Sequence, residues 1–176
     1  MDINVPPALI SFAVNTVDAG EVISTELKKT GSHLVLVKTP RDDRQMIDFD
    51  KYRRNMDKVR ELASEGKILS ACALGRGGLF MAGVKMAVGN KIGCTFRNVS
   101  DEEWKGYGYG NLLLEIGKKE EIDTLMDGAL YEIVGQTTEQ ANIRRQWDEQ
   151  EVGEKKISLN EIIRRWEAPL ENVFST

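Results

Sequence analysis

The sequence predicts an α+β domain in which helices cover a mixed β-sheet. The first observation is a set of short apolar runs, which are typical of buried strands; they fall at residues 34–37, 68–74, 91–96, 111–116 and 129–134. The second is a pair of segments with apolar residues at helical spacing, at 50–64 and 79–88. The order is strands, then helix–strand–helix–strand, then strands, which differs from the regular alternation of a doubly wound fold.

The N-terminal part is expected to contribute two further strands. Pro6 and Pro7 fit neither a helix interior nor a central strand, so the first strand is placed at 8–17, and the second at about 22–27. Residues 28–32 read as a turn because Gly31 supplies a free φ. We therefore expect strands 22–27 and 34–37 to form a hairpin, with His33 at the strand edge.

Glycine, proline and capping patterns set the expected helix ends. The helix at 50–64 is expected to end at Gly66, and the helix at 79–88 to stop at residues 89–90. The acidic stretch 100–105 is expected to be a loop. Residues 158–161 have the pattern of a capping box, which predicts a helix through Trp166 that ends at Pro169.

Composition limits the classes of function. The 176 residues fit one domain, and a net charge of −4 argues against a nucleic-acid surface, where a basic stripe is expected. No apolar run approaches the roughly 20 residues of a membrane span, and the N-terminus lacks the basic start of a signal peptide. Cys72 and Cys94 match no metal spacing and lie in apolar runs, so we expect buried free thiols and a reducing, cytoplasmic location.

A glycine-rich turn of four residues, Gly75, Arg76, Gly77 and Gly78, lies between an expected strand and an expected helix. The start of a helix offers free backbone N–H groups and a partial positive charge, and glycine lets a ligand approach the backbone. We therefore predict a phosphate-binding turn with Arg76 as a charge-assisted contact. No Lys-Ser or Lys-Thr follows the glycines, so it is not a Walker loop. The alternative is a tight turn that only permits close helix–sheet packing.

In a second glycine-rich loop, at 106–110, the glycines alternate with Tyr107 and Tyr109. The tyrosines either stack on a ligand ring or cover the sheet, and we predict the second. The acidic pairs at 42–43, 102–103 and 120–121 lie in polar stretches, where nothing forces them into an apolar pocket. His33 is the single histidine. We therefore predict no catalytic residue and no metal ligand in this chain.

Several segments, taken in order, resemble one family. Residues 9–18 and 25–31 are similar to the strand pair of this family, which has a Leu-Lys-Lys-x-Gly turn. Residues 65–70, followed by 77–79, are similar to its helix, glycine and strand that lead to a helix beginning with Gly-Gly. Residues 85–93 resemble the end of a family helix and the strand after it, and residues 108–116 resemble a glycine loop followed by a strand. Residues 131–138 resemble the family's Ile-Gly-x-Val-Thr ending. Residues 166–174 resemble the segment before a glutaminase domain. The family is phosphoribosylformylglycinamidine synthase, and the region is its C-terminal aminoimidazole-ribonucleotide-synthetase-like domain.

The resemblance implies that synthetase fold and a place in a larger enzyme. The complete enzyme uses ATP, Mg²⁺ and glutamine to convert formylglycinamide ribonucleotide to the amidine in purine biosynthesis. ATP phosphorylates the formamide oxygen, and ammonia from a glutaminase domain displaces the phosphate. Residues 1–176 are then one domain of a longer chain, with a β-rich synthetase N-terminal-type domain and the glutaminase domain as partners. Gly77 and Gly78 carry over as backbone donors to a phosphate.

The chain departs from the family pattern where acidic residues are expected. Ala73 and the pair 75–76 stand where many members have an Asp and a Ser-Glu pair, and 106–111 replaces an acidic loop. These departures favour a duplicated half that is structural, or that binds ATP, ADP or another phosphate, and is inactive alone. The alternatives are a stand-alone regulatory module that binds a phosphorylated metabolite, and a small synthetase acting alone, for which metal-binding acids and a covering domain are lacking.

Overall fold

The computed structural model describes residues 9–117, 120–146, 155–171 and 173. Its strands are β1 (His33–Val37), β2 (Ile68–Ala73), β3 (Gly93–Arg97), β4 (Leu112–Ile116), β5 (Tyr131–Thr138), β6 (Asn142–Gln146) and β7 (Lys155–Ser158). Within the described ranges they form a seven-stranded sheet in the order β2-β4-β1-β5-β3-β6-β7. The β3–β6 pair is parallel and the other neighbours are antiparallel. The predicted α+β class with a mixed sheet is confirmed.

Helices cover both faces of this sheet. They are α1 (Phe49–Ser64), α2 (Gly78–Asn90), α3 (Asp101–Lys105), α4 (Ile122–Leu125) and α5 (Leu159–Glu167), with 3-10 turns at Ala19–Glu21 and Ala168–Leu170. One apolar core lies between the sheet and α2, α3 and α5, and a second between the sheet and α1 and α4. Leu34 and Leu36 of β1 enter the first core, and Val35 and Val37 enter the second. Because β1 is buried on both faces, its sequence reads as a continuous apolar run.

Several local predictions are confirmed. The strands at 34–37, 68–74 and 111–116 and the helix at 50–64 lie within a residue or so of the predicted positions. Helix α1 ends as expected at Gly66, whose φ is +67°. The N–H of Gly66 donates to the carbonyl of Ala63, and the N–H of Lys67 to that of Leu62, which is the Schellman arrangement. Cys72 and Cys94 are buried free thiols.

The predictions of two N-terminal strands, and of a hairpin between 22–27 and 34–37, are wrong. Residue 8 lies outside the described residues, and 9–17 form no strand; Leu9, Ile10 and Phe12 are 98%, 88% and 89% exposed. No described strand adjoins this segment, so its β pattern has no partner. Residues 22–27 also form no strand, and β1 pairs with β4 and β5 instead. His33 therefore begins a central strand.

Other differences concern the ends of elements. Helix α2 continues through Gly89 and Asn90, and Lys91 takes the left-handed conformation after it. Ser158 precedes α5 as predicted, but its side chain makes no capping bond. The acidic stretch is a helix, α3, with a complete capping box between Ser100 and Glu103. Strands β6 and β7 were not predicted, because their sequences are largely polar.

A buried carboxylate ties the N-terminal segment to the sheet. Glu115 of β4 is 0% exposed, and its two oxygens accept the backbone N–H groups of Lys28 and Lys29 at 2.8 and 3.0 Å. The hydroxyl of Ser70 on β2 donates to the same carboxylate at 2.8 Å. These three donors replace the hydrogen bonds to water that the carboxylate loses on burial. Glu115 thus fixes residues 28–29 without any strand pairing.

Candidate phosphate-binding site

The predicted glycine turn lies where strand β2 passes into helix α2. Gly77 is the N-cap of α2 with a φ of +91°, and Gly78 begins the helix with a φ of +55°. Both values lie in the left-handed region, which glycine adopts without steric cost. The predicted strand–turn–helix setting of Gly75, Arg76, Gly77 and Gly78 is therefore present.

The two glycine-rich loops, predicted as separate features, pair with each other. Gly77 N–H donates to the carbonyl of Gly106 at 3.0 Å, and Gly108 N–H donates to that of Gly75 at 3.1 Å. Arg76 and Tyr107 form the isolated antiparallel bridge between these bonds. In such a non-hydrogen-bonded pair the opposing side chains are close neighbours on one face. We call residues 75–77 and 106–108 the glycine ribbon.

Hydrogen bonds within the glycine ribbon leave only some of the nearby polar groups available to a ligand. The N–H of Gly77 is engaged within the ribbon, and that of Gly78 donates to the carbonyl of Gly75 at 3.3 Å. The N–H groups of Leu79 and Phe80 have no intrahelical acceptor, and no side chain caps them. Arg76 is exposed and makes no hydrogen bond or ion pair with the described residues. An approaching phosphate would meet Arg76 first, because Gly78 and Leu79 at the start of α2 are buried; its binding stays a prediction.

Helix α3 supports the start of α2. A Cβ placed on Gly78 would lie 2.4 Å from the carbonyl oxygen of Glu103, so the two helices meet at a distance that only glycine allows. The buried Arg145 of β6 holds α3 in turn: its guanidinium donates to Asp101 and to the carbonyl of Val99, each at 2.5 Å. It also lies 5.6 Å from the centroid of the Trp104 ring. The role of Arg145 could not be predicted from the sequence, because nothing in a polar segment indicates burial.

The tyrosines of the second loop do not cover the sheet, contrary to our prediction. Tyr107 and Tyr109 are 68% and 61% exposed. Their rings are stacked, with centroids 6.0 Å apart and an interplanar angle of 18°. A cavity of about 150 Å³ on the inner side of the loop is lined by Leu36, Leu74, Glu102, Glu103, Tyr107, Gly108 and Asn111.

An ion-pair cluster lies beside the loop. Lys38, which follows β1, contacts Glu103 at 2.9 Å and Glu132 at 2.5 Å. Burial alone would raise the pKa of Glu103, but hydrogen bonds from Lys38 and Ser100 outweigh it and hold that pKa below its ordinary value. Burial likewise opposes the charge of Lys38, yet its two carboxylate partners raise the pKa of the ammonium. The cluster therefore favours the charged forms of both groups.

Acidification should remove the stabilisation that the ion pair of Lys38 and Glu103 gives to the fold. A carboxyl whose pKa is depressed in the fold stabilises the fold above its unfolded pKa of about 4.3, and the stabilisation is lost as pH falls through the lower folded value. We expect Glu103→Gln to make the fall of the unfolding free energy between pH 6 and pH 3 shallower by about 1 kcal/mol, measured by urea titration. Lys38→Met should flatten it similarly because it removes the cation. An unchanged slope in Glu103→Gln would contradict the assignment.

Potential metal ligands are not clustered in the part of the chain that the structure describes. Within 9–117, 120–146, 155–171 and 173, no three His, Cys, Asp or Glu side chains come together. Mg²⁺ that accompanies a nucleotide usually needs one or two carboxylates besides phosphates. A phosphate group fits better, since the side chain of Arg76 is exposed to it.

Comparison with known proteins identifies the fold. No protein-family model and no curated protein matches the sequence. Among solved structures, PurL of Thermotoga maritima in complex with ATP has a TM-score of 0.66 and 14% identity, over 82% of this chain and 27% of that chain. The chain has the aminoimidazole-ribonucleotide-synthetase-like fold. Phosphoribosylformylglycinamidine synthase II of the same organism gives a TM-score of 0.63 and 13% identity, over 86% and 34% of the two chains.

The same synthetase-like fold occurs in a protein of different function. The hydrogenase maturation protein HypE in complex with ATP gives a TM-score of 0.60 and 11% identity, over 81% of this chain and 54% of that chain. This chain therefore spans about a quarter to a third of the PurL structures and about half of HypE. At these identities the likeness shows the fold alone. None of the helices in the described part of the chain has the length and hydrophobicity to cross a membrane.

Proposed function

We propose that this chain is a synthetase-type domain of a phosphoribosylformylglycinamidine synthase, and that it binds a phosphate group without performing the reaction alone. The observation that carries the proposal is the glycine turn, where the left-handed Gly77 and Gly78 lead into α2 beside Arg76, which is exposed and forms no ion pair with a described residue. The ordered resemblance of the sequence and the fold shared with PurL support it.

In this role the turn binds and orients a phosphate. Arg76 supplies a charge-assisted contact, and the N–H group of the half-buried Phe80 donates to it from the first turn of α2. Gly75, Gly77 and Gly78 hold the backbone in place, since two of their three N–H groups are used within the chain. PurL of Thermotoga maritima binds ATP, and by analogy the phosphate here belongs to ATP, ADP or formylglycinamide ribonucleotide.

The reaction itself requires other parts of the enzyme. The chain spans about a third or less of the two PurL-type structures, so the remainder of those chains supplies further domains. We propose a β-rich synthetase domain and a glutaminase domain as partners in the cytoplasm. In this proposal the Mg²⁺ ligands and the ammonia source lie in those other domains.

The test is the thermal midpoint of unfolding with millimolar formylglycinamide ribonucleotide, and separately with Mg²⁺-ADP. A ligand at 100 times its dissociation constant stabilises the folded state by about 2.7 kcal/mol, so we expect a rise of several degrees. Arg76→Gln should reduce the rise, whereas Arg60→Gln, an equal loss of charge at an exposed position on α1, should keep it.

Two results would count against the proposal. One is an unchanged midpoint with both ligands at millimolar concentration. The other is an equal rise in Arg76→Gln and in the unsubstituted chain, which would place the ligand elsewhere.

A further inference from the structure

The tyrosine pair, Tyr107 and Tyr109, is exposed although its two rings contact each other. With 68% and 61% of the residues accessible, at least one ring face remains open to solvent. Neither hydroxyl makes a hydrogen bond with a described residue. Large aromatic side chains usually contribute by burying their area, so two open rings side by side are available for a partner.

The alternating sequence of the loop explains why the rings point outward. A Cβ on Gly106 would lie 2.4 Å from the carbonyl oxygen of Glu102, on Gly108 it would lie 2.7 Å from Cβ of Leu74, and on Gly110 2.4 Å from the hydroxyl of Thr39. The three glycines therefore face the protein, and the intervening tyrosines face away from it.

The loop is held on both sides, so the rings are presented in a fixed position. The glycine ribbon fixes Tyr107 opposite Arg76. Beyond Tyr109, the side-chain oxygen of Asn111 accepts a hydrogen bond from the N–H of Thr39 at 2.7 Å, and the backbone N–H of Asn111 donates to the carbonyl of Gly108. A site that is already ordered loses less conformational entropy when a ligand binds.

We infer that the tyrosine pair stacks on the planar heterocycle of a nucleotide whose phosphate contacts Arg76. The bridge between Arg76 and Tyr107 makes the cation and the first ring neighbours on one face, which suits a ligand that is both aromatic and anionic. The base lies on the outer side of the rings, because the inner cavity of about 150 Å³ is smaller than the roughly 300 Å³ of an ordinary ligand pocket.

This inference rests on the proposed phosphate site and specifies its ligand class. Formylglycinamide ribonucleotide has no aromatic base, so the tyrosine pair would favour ADP or ATP over it. The experiment compares three probes by isothermal titration with the 176-residue chain. AMP carries the base and the phosphate, ribose 5-phosphate carries only the phosphate, and adenosine carries only the base.

We expect AMP to bind about tenfold more tightly than ribose 5-phosphate, the size of one base–aromatic stacking contact. Tyr107→Ala should weaken the binding of AMP by about that factor and leave the affinity for ribose 5-phosphate unchanged. Tyr107→Phe should bind AMP as tightly as the unsubstituted chain does. Arg76→Gln should weaken both phosphates but not adenosine. Phe49→Ala is the matched control, because Phe49 is an equally exposed aromatic residue, 73% accessible, on α1.

The outcomes separate the two proposals. Equal affinities for AMP and ribose 5-phosphate, or AMP binding that survives Tyr107→Ala, would overturn the stacking site and leave the phosphate site standing. Adenosine binding that depends on Tyr107, with no gain from the phosphate, would keep the stacking surface but remove the role of Arg76. Absence of binding by all three probes would overturn both proposals.

Discussion

Glu115→Gln is expected to lower the free energy of unfolding by about 3 kcal/mol, because it leaves a buried backbone N–H without an acceptor. The carboxylate accepts three hydrogen bonds through two oxygens, from Lys28, Lys29 and Ser70. Glutamine offers one oxygen, and its amide N–H₂ would face an N–H donor at 0% exposure. For a domain of this size, the thermal midpoint should fall by about 6–10 °C.

Glu139→Gln is the control for Glu115→Gln. It makes the same chemical change at an exposed position in the turn after β5, and surface substitutions of this kind usually stay within about 0.5 kcal/mol. Equal midpoints for the two variants in differential scanning calorimetry would show that Glu115 does not clamp residues 28–29.

Gly78→Ala should also destabilise the protein by about 3 kcal/mol, from two additive costs. The first is the left-handed backbone, with φ at +55°, which costs an alanine about 1 kcal/mol. The second is the contact of the new methyl group with the carbonyl oxygens of Glu103 and Trp104, at 2.4 and 3.0 Å. Backbone atoms cannot rotate away, so α2 and α3 would separate, at a cost of about 1–3 kcal/mol.

Gly66→Ala separates these two costs. Gly66 has a similar φ of +67°, but nothing lies within 4 Å of an added Cβ. Urea denaturation should therefore show a loss of only about 1 kcal/mol for this variant. If both variants lose the same free energy, the helices tolerate the methyl group and the close contact of α2 with α3 has no energetic role.

Elements whose burial follows from local sequence were predictable, and those that depend on distant partners were not. The apolar runs of β1 and β4 are buried on both faces and that of β2 is buried on one face; all three were recognised. The segment 9–17 carries an equally clear β pattern, but a strand needs a neighbouring edge, and no described strand provides one. Helix α3 was predictable in principle, since Ser100 and Glu103 have capping-box spacing, but its short length and acidic composition resembled a loop.

The candidate site was predicted as a set of residues, not as an arrangement. The turn at 75–78 was identified from glycines between a strand and a helix, a purely local pattern. Its pairing with 106–108 joins segments about 30 residues apart, and the direction of the tyrosines depends on what each glycine contacts. Glu115 is the single charged residue of an apolar strand, and Arg145 lies beside Arg144 in a polar one; neither pattern gives a sign that the charge is buried.

The strand order has a consequence for how the chain acquires its fold. The central strand β1 leaves the ribosome before its neighbours β4 and β5, which begin at residues 112 and 131. A nascent chain therefore carries the Leu-Val-Leu-Val run with both edges unpaired until β4 and β5 have been synthesised. Such an edge is a template for intermolecular pairing, and closing long loops before contacts form makes folding slow. Any chain that stops before Thr138 should aggregate and require a chaperone.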